Sequence, residues 1–249
     1  MSIRKKILAI SIGPVLVLGV ITLLFMLTMV KSSLMDEVQD ALKGTAAATL
    51  AAYDQNTGDY LESTNGDIWK GSYNISKSES LVDRIKENTG MDVTFFYGNK
   101  RIMTSALDKK GNRILGSEAG ERVVNQVIKG KKPFFSTNVS LDGTRNYGYF
   151  IPVYQNGTTD QVIGMVFVGT NKARKDAIVN KILGSIMMAL LVVMLLCIVT
   201  AMRMAASISK NIKNSVAVVG KLADGDLNVW VDEKLLKRKD EIGDLSRGT

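Results

Sequence analysis

The sequence predicts an α+β domain held between two transmembrane helices, with a further helical segment after the second. Two uncharged apolar runs, at residues 7–30 and 182–202, frame the chain. An α-helix of ~20 apolar residues is long enough to cross the hydrocarbon core of a bilayer. Between the runs, helical periodicity gives way to alternating strands joined by hairpin turns. We therefore expect a mixed domain anchored to a membrane at both ends.

Each apolar run has one competing interpretation. The run at 182–202 lies between Lys181 and Arg203, and buried helices of soluble proteins seldom extend so far without a charge. The run at 7–30 follows a basic start, as a cleaved signal peptide does, but it exceeds the ~7–15-residue core of such a peptide. Pro14 is tolerated in a membrane helix, with a local kink. Both runs are predicted to span the membrane.

Basic residues near both ends favour a topology in which both termini are cytoplasmic. They are Arg4, Lys5 and Lys6 before the first run and Arg203, Lys210 and Lys213 after the second. Lys172, Arg174, Lys175 and Lys181 on the outer flank weaken the asymmetry, although a long translocated domain reduces their influence. The predicted organisation is a cytoplasmic N-terminus (1–6), a first span (7–30), an extracytoplasmic domain (31–181), a second span (182–202) and a cytoplasmic segment (203–249).

Composition excludes several classes of function. The net charge of +8 is dispersed, which argues against a nucleic-acid-binding face. The chain has one cysteine, Cys197, and it lies inside an apolar run, so no internal disulfide is possible. The chain has no histidine, which removes Ser-His-Asp catalysis and most zinc sites. We expect no enzyme activity, no metal and no cofactor.

The outer domain is expected to contain a five-stranded antiparallel sheet with helices on one face. Asp142-Gly143 and Asn156-Gly157 are typical of hairpin turns. Residues 66–71 are predicted to be a turn-rich connector. The predicted elements are a long helix from residue 31 to about 55, a short helix at 80–88, strands at 93–97 and 101–105, a helix from Ser117 to about Gly130, and strands at 133–140, 144–154 and 161–170.

The long first helix carries a narrow apolar stripe at Leu34, Val38 and Leu42. Such a stripe suits a helix that packs on its twin in a homodimer. A stripe that faces the helix's own domain is an equally good interpretation for any one of these residues.

The segment after the second run resembles a HAMP linker, the helix–connector–helix module that joins receptor membrane helices to signalling domains. The matching features are Ile208, Ile212, the Gly225-Asp226-Leu227 turn and Asp240-Glu241-Ile242-Gly243. Asn211 stands where the family usually has proline. The second helix is cut short, which predicts that the chain is part of a longer protein.

The outer segment resembles a single Cache domain, a PAS-like extracytoplasmic sensor. The resemblance rests on Asp67-Ile68-Trp69-Lys70-Gly71, Leu81-Val82-Asp83, Thr89-Gly90, residues 93–98, Gly111-Asn112-Arg113, Gly116-Ser117 and residues 162–169. With the two spans and the linker, the chain resembles the sensory half of a methyl-accepting chemotaxis protein. This implies a homodimer that senses a small ligand and acts on a cytoplasmic chemotaxis kinase and adaptor. The alternative is the sensory half of a membrane histidine kinase or of a cyclic-nucleotide cyclase or phosphodiesterase; an adhesion ectodomain is disfavoured by the linker.

Candidate ligand-binding residues are polar and aromatic side chains on the predicted strands. Arginine binds a carboxylate through two charge-assisted hydrogen bonds, and tyrosine hydroxyls can complete the site. Arg145, Tyr147 and Tyr149 lie two apart and so point to one side of their strand. We predict a small anionic ligand, such as a short carboxylate, held by Arg101 or Arg113 with Tyr147 and Tyr149; Phe95, Tyr97 and Thr104 complete the predicted set. Arg113 falls in a Gly-x-Arg motif of the family that the segment resembles.

Overall fold

A computed structural model of the chain describes residues 3–156, 158–225 and 243–244. The described residues fall into two compact units, one drawn from residues 1–28 and 183–249 and the other from residues 29–182. Of the HAMP-like features, Asp226, Leu227 and residues 240–242 lie outside the described residues. The helix–connector–helix arrangement is therefore still a prediction.

The first unit contains the two apolar helices. Helix α1 spans Ile3–Phe25 and includes Pro14, and helix α5 spans Lys172–Ala223. Both helical stretches are long and apolar enough to cross a membrane, and the side chains of their most apolar windows are exposed. A Cβ built on Gly19 would lie 2.8 Å from Met194 Sδ, so the two helices approach each other closely where α1 has no side chain. Two helices that could cross a membrane are therefore present, and the predicted spans and their topology are still predictions.

The second unit is built on a five-stranded antiparallel sheet, as predicted. Its strands are β4 (Asp92–Tyr97), β5 (Lys100–Thr104), β6 (Phe134–Leu141), β7 (Thr144–Tyr154) and β8 (Val162–Asn171), in the order β5-β4-β8-β7-β6. The β6–β7 turn has positive φ at Asp142 (45°) and Gly143 (76°), as tight hairpins of this type require.

Helix α2 (Lys31–Asp54) covers one face of this sheet. It follows a π-helical turn at Met26–Val30. Val38, Leu42 and Ala46 are buried in the core that α2 forms with the sheet. The apolar stripe at Val38 and Leu42 therefore faces the helix's own domain, and of the two interpretations the structure supports this one. Helix α3 (Glu79–Thr89) lies beside the sheet and ends at Gly90, whose φ of 68° only glycine adopts readily.

A small second sheet lies where no strand was predicted, and its middle strand falls within the predicted connector at residues 66–71. Strands β1 (Tyr60–Glu62), β2 (Ile68–Lys70) and β3 (Tyr73–Asn74) pair in sequence order and are followed by a 3₁₀ turn at Ile75–Lys77. These strands have two or three residues each, too few for an alternating pattern to be recognised.

The helix predicted from Ser117 to Gly130 is shorter than expected. Helix α4 spans only Glu121–Val123 and continues as a π-helical segment at Val124–Lys129. Ser117 does not cap it, because the backbone before α4 is extended: the Arg101 amide donates to the Ser117 carbonyl at 2.9 Å, and Lys100 bridges Glu118.

Candidate functional site

Strand alternation gives the two faces of the five-stranded sheet different surroundings. In β7, Tyr147 and Tyr149 point to the face that α2 covers, whereas Phe150 belongs to a separate apolar cluster on the other face. In β4, Phe95 belongs to the α2 face and its neighbour Phe96 to the opposite one. We call the face opposite α2 the cleft face.

The cleft face carries a cavity of about 510 Å³. Strand β6 forms one wall, and the segment from Glu118 to Val123 forms the other. Its size falls within the range of pockets that bind small molecules. The lining residues include Phe96, Arg101, Glu118, Arg122, Phe134, Ser136, Thr137, Asn138, Phe150 and Phe167.

Arg101 is the buried cation of this cavity. It lies opposite Phe96 in the β4–β5 ladder, its residue is only 8% exposed, and its guanidinium carbon is 5.3 Å from the centre of the Phe96 ring. Nη1 donates to the Ile114 carbonyl at 3.3 Å. Among the described residues, Nε is buried without a hydrogen-bond partner, and no carboxylate pairs with the guanidinium.

Burial without a counter-charge disfavours the charged form of a group. Accordingly, desolvation lowers the pKa of Arg101 below its usual value. Arginine nevertheless remains protonated in proteins, so the site holds a positive charge and an unused donor. A carboxylate entering the cavity could accept from the guanidinium of Arg101, which is among the lining residues, and offset the cost of burying the cation.

The rim adds charges of both signs. Arg122 and Glu118 are exposed residues of the wall around α4, and the Arg122 guanidinium lies 5.4 Å from the centre of the Phe134 ring. Two arginines against one glutamate leave the cleft with a net positive charge, which favours an anionic occupant.

The floor of the cleft is aromatic. The Phe150 and Phe167 rings lie 4.7 Å apart at an angle of 41°. A Cβ on Gly148 or Gly169 would come within 2.5 or 2.4 Å of the Phe167 ring, so these two glycines make room for it. A floor of this kind suits the apolar part of a small organic acid.

The structure places two of the predicted site residues, Arg101 and Thr104, on the cleft face. Thr104 is fully buried, and its hydroxyl is engaged by Thr94 Oγ1 at 2.7 Å. It supports the strand pair and does not line the cavity. Arg101 is therefore the member of the predicted set that reaches the cavity.

Arg113 is engaged elsewhere. Its guanidinium donates to both carboxylate oxygens of Asp83 in α3, at 2.9 and 2.5 Å, and to the Thr104 carbonyl at 2.7 Å. The ion pair holds the pKa of Asp83 below its usual value. Arg113 thus fastens the loop after β5 to α3, and the cavity lies outside its contacts.

The four aromatic candidates lie on the α2 face. Phe95, Tyr147 and Tyr149 are buried, and Tyr97 is partly buried in the same cluster. Phe95 packs against the Tyr53 ring of α2 with the centroids 5.1 Å apart. The predicted cage of Arg101 or Arg113 with Tyr147 and Tyr149 is not assembled, because the sheet separates Arg101 from the tyrosines.

Sequence reasoning missed the residues that surround Arg101 in the cavity. Phe96 and Phe150 each follow a chosen residue of the opposite face, so choosing Phe95 and Tyr149 excluded them. Phe167 lies in β8, from which the predicted set takes no residue. The alternation was visible in the sequence, and the face that α2 would cover was not. Glu118 and Arg122 were not considered, because they fell in the helix predicted from Ser117 and the candidates were sought mainly on strands.

Comparisons with known proteins identify the domain type. Residues 73–182 match the family model described as single Cache domain 3. This segment, less than half of the chain, is therefore similar to single Cache domains. A solved structure titled "Extracellular ligand binding receptor from Desulfohalobium retbaense DSM5692" is similar with a TM-score of 0.42 and 14% identity; the match covers 59% of this chain and 25% of that one. The chain thus spans about a quarter of the length of that receptor. No curated protein matches the chain.

Proposed function

We propose that the chain is the sensory part of a transmembrane chemoreceptor that binds a small anionic ligand, such as a short carboxylate, in the cleft. Its homodimer would pass the signal through α5 and a HAMP linker to a cytoplasmic chemotaxis domain. The protein acts as a receptor and not as a catalyst. The cleft on the face opposite α2 replaces the tyrosine-lined site that the sequence predicted.

The observation that carries the ligand assignment is that Arg101 is buried and, among the described residues, pairs with no carboxylate. A buried cation with an unpaired Nε is costly unless an anion completes its hydrogen bonds. The cavity that it faces is open to solvent at a rim bearing Arg122 and Glu118. A small acid would place its carboxylate on the guanidinium and its carbon chain on the aromatic floor.

The route for the signal is supported by chain continuity. Strand β8 ends at Asn171, and α5 begins at the next residue and contains the whole of the apolar run at 182–202. A shift of roughly 1–2 Å in this helix, a size common in switching proteins, would carry the signal across the membrane. The HAMP and chemotaxis parts of the proposal rest on the sequence resemblance.

The test is a thermal-shift screen of the full chain in lipid nanodiscs. Acetate, butyrate, benzoate and succinate are compared with their uncharged amides. A ligand that binds only the folded state raises the melting temperature by mass action, and we expect this for at least one acid and for none of the amides.

Arg101→Gln should abolish the shift, because the side chain keeps its polarity but loses the charge. Arg113→Gln is the matched control: it removes an arginine that lies outside the cavity, and the ligand-induced shift should persist. Equal shifts with acid and amide, or loss of the shift in Arg113→Gln alone, would refute the Arg101 assignment.

A further inference from the structure

The wall of the cleft formed by β6 contains a β-bulge. The β6–β7 register pairs Ser136 with Gly148 and Val139 with Asn146, so two residues of β6, Thr137 and Asn138, stand opposite the single residue Tyr147. Thr137 and Asn138 both line the cavity. A bulge leaves backbone groups outside the ladder, and these groups are available to other partners.

The first turn of α5 uses one of these groups. Lys172, the first residue of the helix, donates from Nζ to the Thr137 carbonyl at 3.1 Å. The same Nζ lies 5.0 Å from the centre of the Tyr147 ring, within the range of a cation–π interaction. The start of α5 is thus attached directly to the wall of the cleft.

A second contact lies one turn further along the helix. Tyr147, which is 3% exposed, donates its hydroxyl proton to Asp176 Oδ1 at 2.5 Å. Burial, together with this hydrogen bond and the charge of Asp176, raises the pKa of Tyr147 to about 12. The phenol therefore stays protonated at physiological pH and can donate to Asp176.

We propose that the β6 bulge detects whether the cleft is occupied, and that Lys172 and the Tyr147–Asp176 hydrogen bond transfer its displacement to α5. This inference rests on the proposed function, because it assigns the regulation of the same cleft. A ligand that touches Ser136, Thr137 or Asn138 stabilises one position of the wall over another. It can shift the helix only by that difference in affinity.

The test follows α5 with a fluorine label in the full chain in nanodiscs. Cys197→Ser removes the native thiol, and Asn180→Cys, an exposed position of α5, carries a trifluoromethyl group observed by NMR. Two occupants of the cleft are used. One is sodium butyrate, and the other is Ser136→Trp, since Ser136 pairs with Gly148 and so points into the cleft. Phe134→Trp, which enlarges a half-buried ring that already lines the cavity, serves if Ser136→Trp does not fold.

Both occupants should move the label's resonance. Tyr147→Phe keeps the buried ring and removes the bond to Asp176, and Lys172→Met keeps the apolar stem and removes the charge. Each variant should abolish the movement of the resonance. The affinity for butyrate should change by less than about tenfold, a factor at the lower end of typical allosteric coupling. Tyr149→Phe and Lys175→Met are the matched controls, and both should leave the movement intact.

The ligand proposal and the coupling proposal can be refuted separately. Failure of butyrate and of the other acids to bind would refute the anionic ligand, and the tryptophan variants would still report on the coupling. A resonance that stays in place with a folded tryptophan variant, or that still moves in either Tyr147→Phe or Lys172→Met, would overturn the coupling proposal.

Discussion

The two faces of the five-stranded sheet are built from neighbouring residues of the same strands, yet they serve opposite purposes. The α2 face is closed: Phe95, Val166 and Val168 have no exposed surface and pack beneath Val38 and Leu42. The cleft face contains an open cavity of about 510 Å³ and a buried arginine whose Nε has no hydrogen-bond partner among the described residues. The first face has the larger buried apolar cluster, and under the proposed function the second gives up stability to keep a site for a ligand.

The difference between the two faces follows from the free energies of burying apolar and charged groups. Burying apolar side chains contributes ~25 cal/mol per Å², whereas a buried charge costs free energy until a partner arrives. A sensor domain needs both kinds of face, because the closed face holds the strands in place while the open face remains available to bind a ligand. Substitutions that are matched across the sheet test the distinction.

The largest effect is expected from Phe95→Ala. Phe95 is fully buried between the Tyr53 and Tyr60 rings, at centroid distances of 5.1 and 5.8 Å. Its loss should lower the free energy of unfolding by about 3–5 kcal/mol, as large core truncations do. Hydrogen exchange of the slowest amides of β8 in the full chain measures the change. Phe134→Ala, at a half-buried position of the cleft wall, is the control and should cost less than half as much; equal losses would mean that the two faces are packed alike.

Gly148→Ala should have the next largest effect. Its Cβ would lie 2.5 Å from the Phe167 ring and 2.8 Å from Val139 Cγ2, so the ring must move toward the cavity. Overpacking of this kind costs about 1–3 kcal/mol. The same exchange experiment gives the cost, and the melting-temperature shift with butyrate should shrink because the floor of the cleft rises. Full butyrate binding in Gly148→Ala would place the ligand away from Phe167.

Arg101→Met should stabilise the empty domain by about 1 kcal/mol, because an apolar side chain of similar length replaces a buried cation without a counter-charge. Ligand binding should disappear in the same variant. Thermal unfolding with and without butyrate measures both changes. A destabilised Arg101→Met would show that the arginine is structural and that its burial is already compensated.

The smallest effect concerns Arg113 and depends on pH. The pKa of Asp83 is lowered by Arg113, so the pair stabilises the fold above the unfolded-state pKa of ~3.9 and loses this contribution as the pH falls through the lower, folded-state pKa. The pair is partly exposed, and Arg113→Met should cost no more than about 1 kcal/mol at pH 7. Unfolding at pH 7 and pH 3 should show the difference from the wild type shrinking at the lower pH. If the difference in the free energy of unfolding is the same at both pH values, the Asp83–Arg113 ion pair is not its cause.

The sequence predicted the sheet well and the site poorly, for one physical reason. Alternation and hairpin turns identify strands and the residues that share a side, but they do not say which side a helix will cover. Tyr147 and Tyr149 were correctly placed on one side of β7, and α2 buries that side. The small sheet and the π-helical segment were missed because such short elements carry too little periodicity.

The position of Arg101 also depends on an irregularity. The β4–β5 register shifts so that Arg101 pairs with Phe96 and Met103 with Phe95, which leaves Ile102 unpaired. Without this bulge, Arg101 and Met103 would point to the same face. A bulge of one residue has no reliable signature in a single sequence, so the assembly of the cleft required the structure.

The most direct test of an open, positively charged cleft face is the chemical reactivity of a cysteine placed in it. Ser136→Cys and the α2-face control Val166→Cys are made in the full chain with Cys197→Ser, and each is treated with methanethiosulfonates that carry either a sulfonate or a trimethylammonium group. We expect Ser136→Cys to react several-fold faster with the anionic reagent, Arg101→Gln to remove this preference, and Val166→Cys to react with neither. Equal rates with both reagents at Ser136→Cys, or a preference that survives Arg101→Gln, would show that Arg101 does not give the cleft a positive charge.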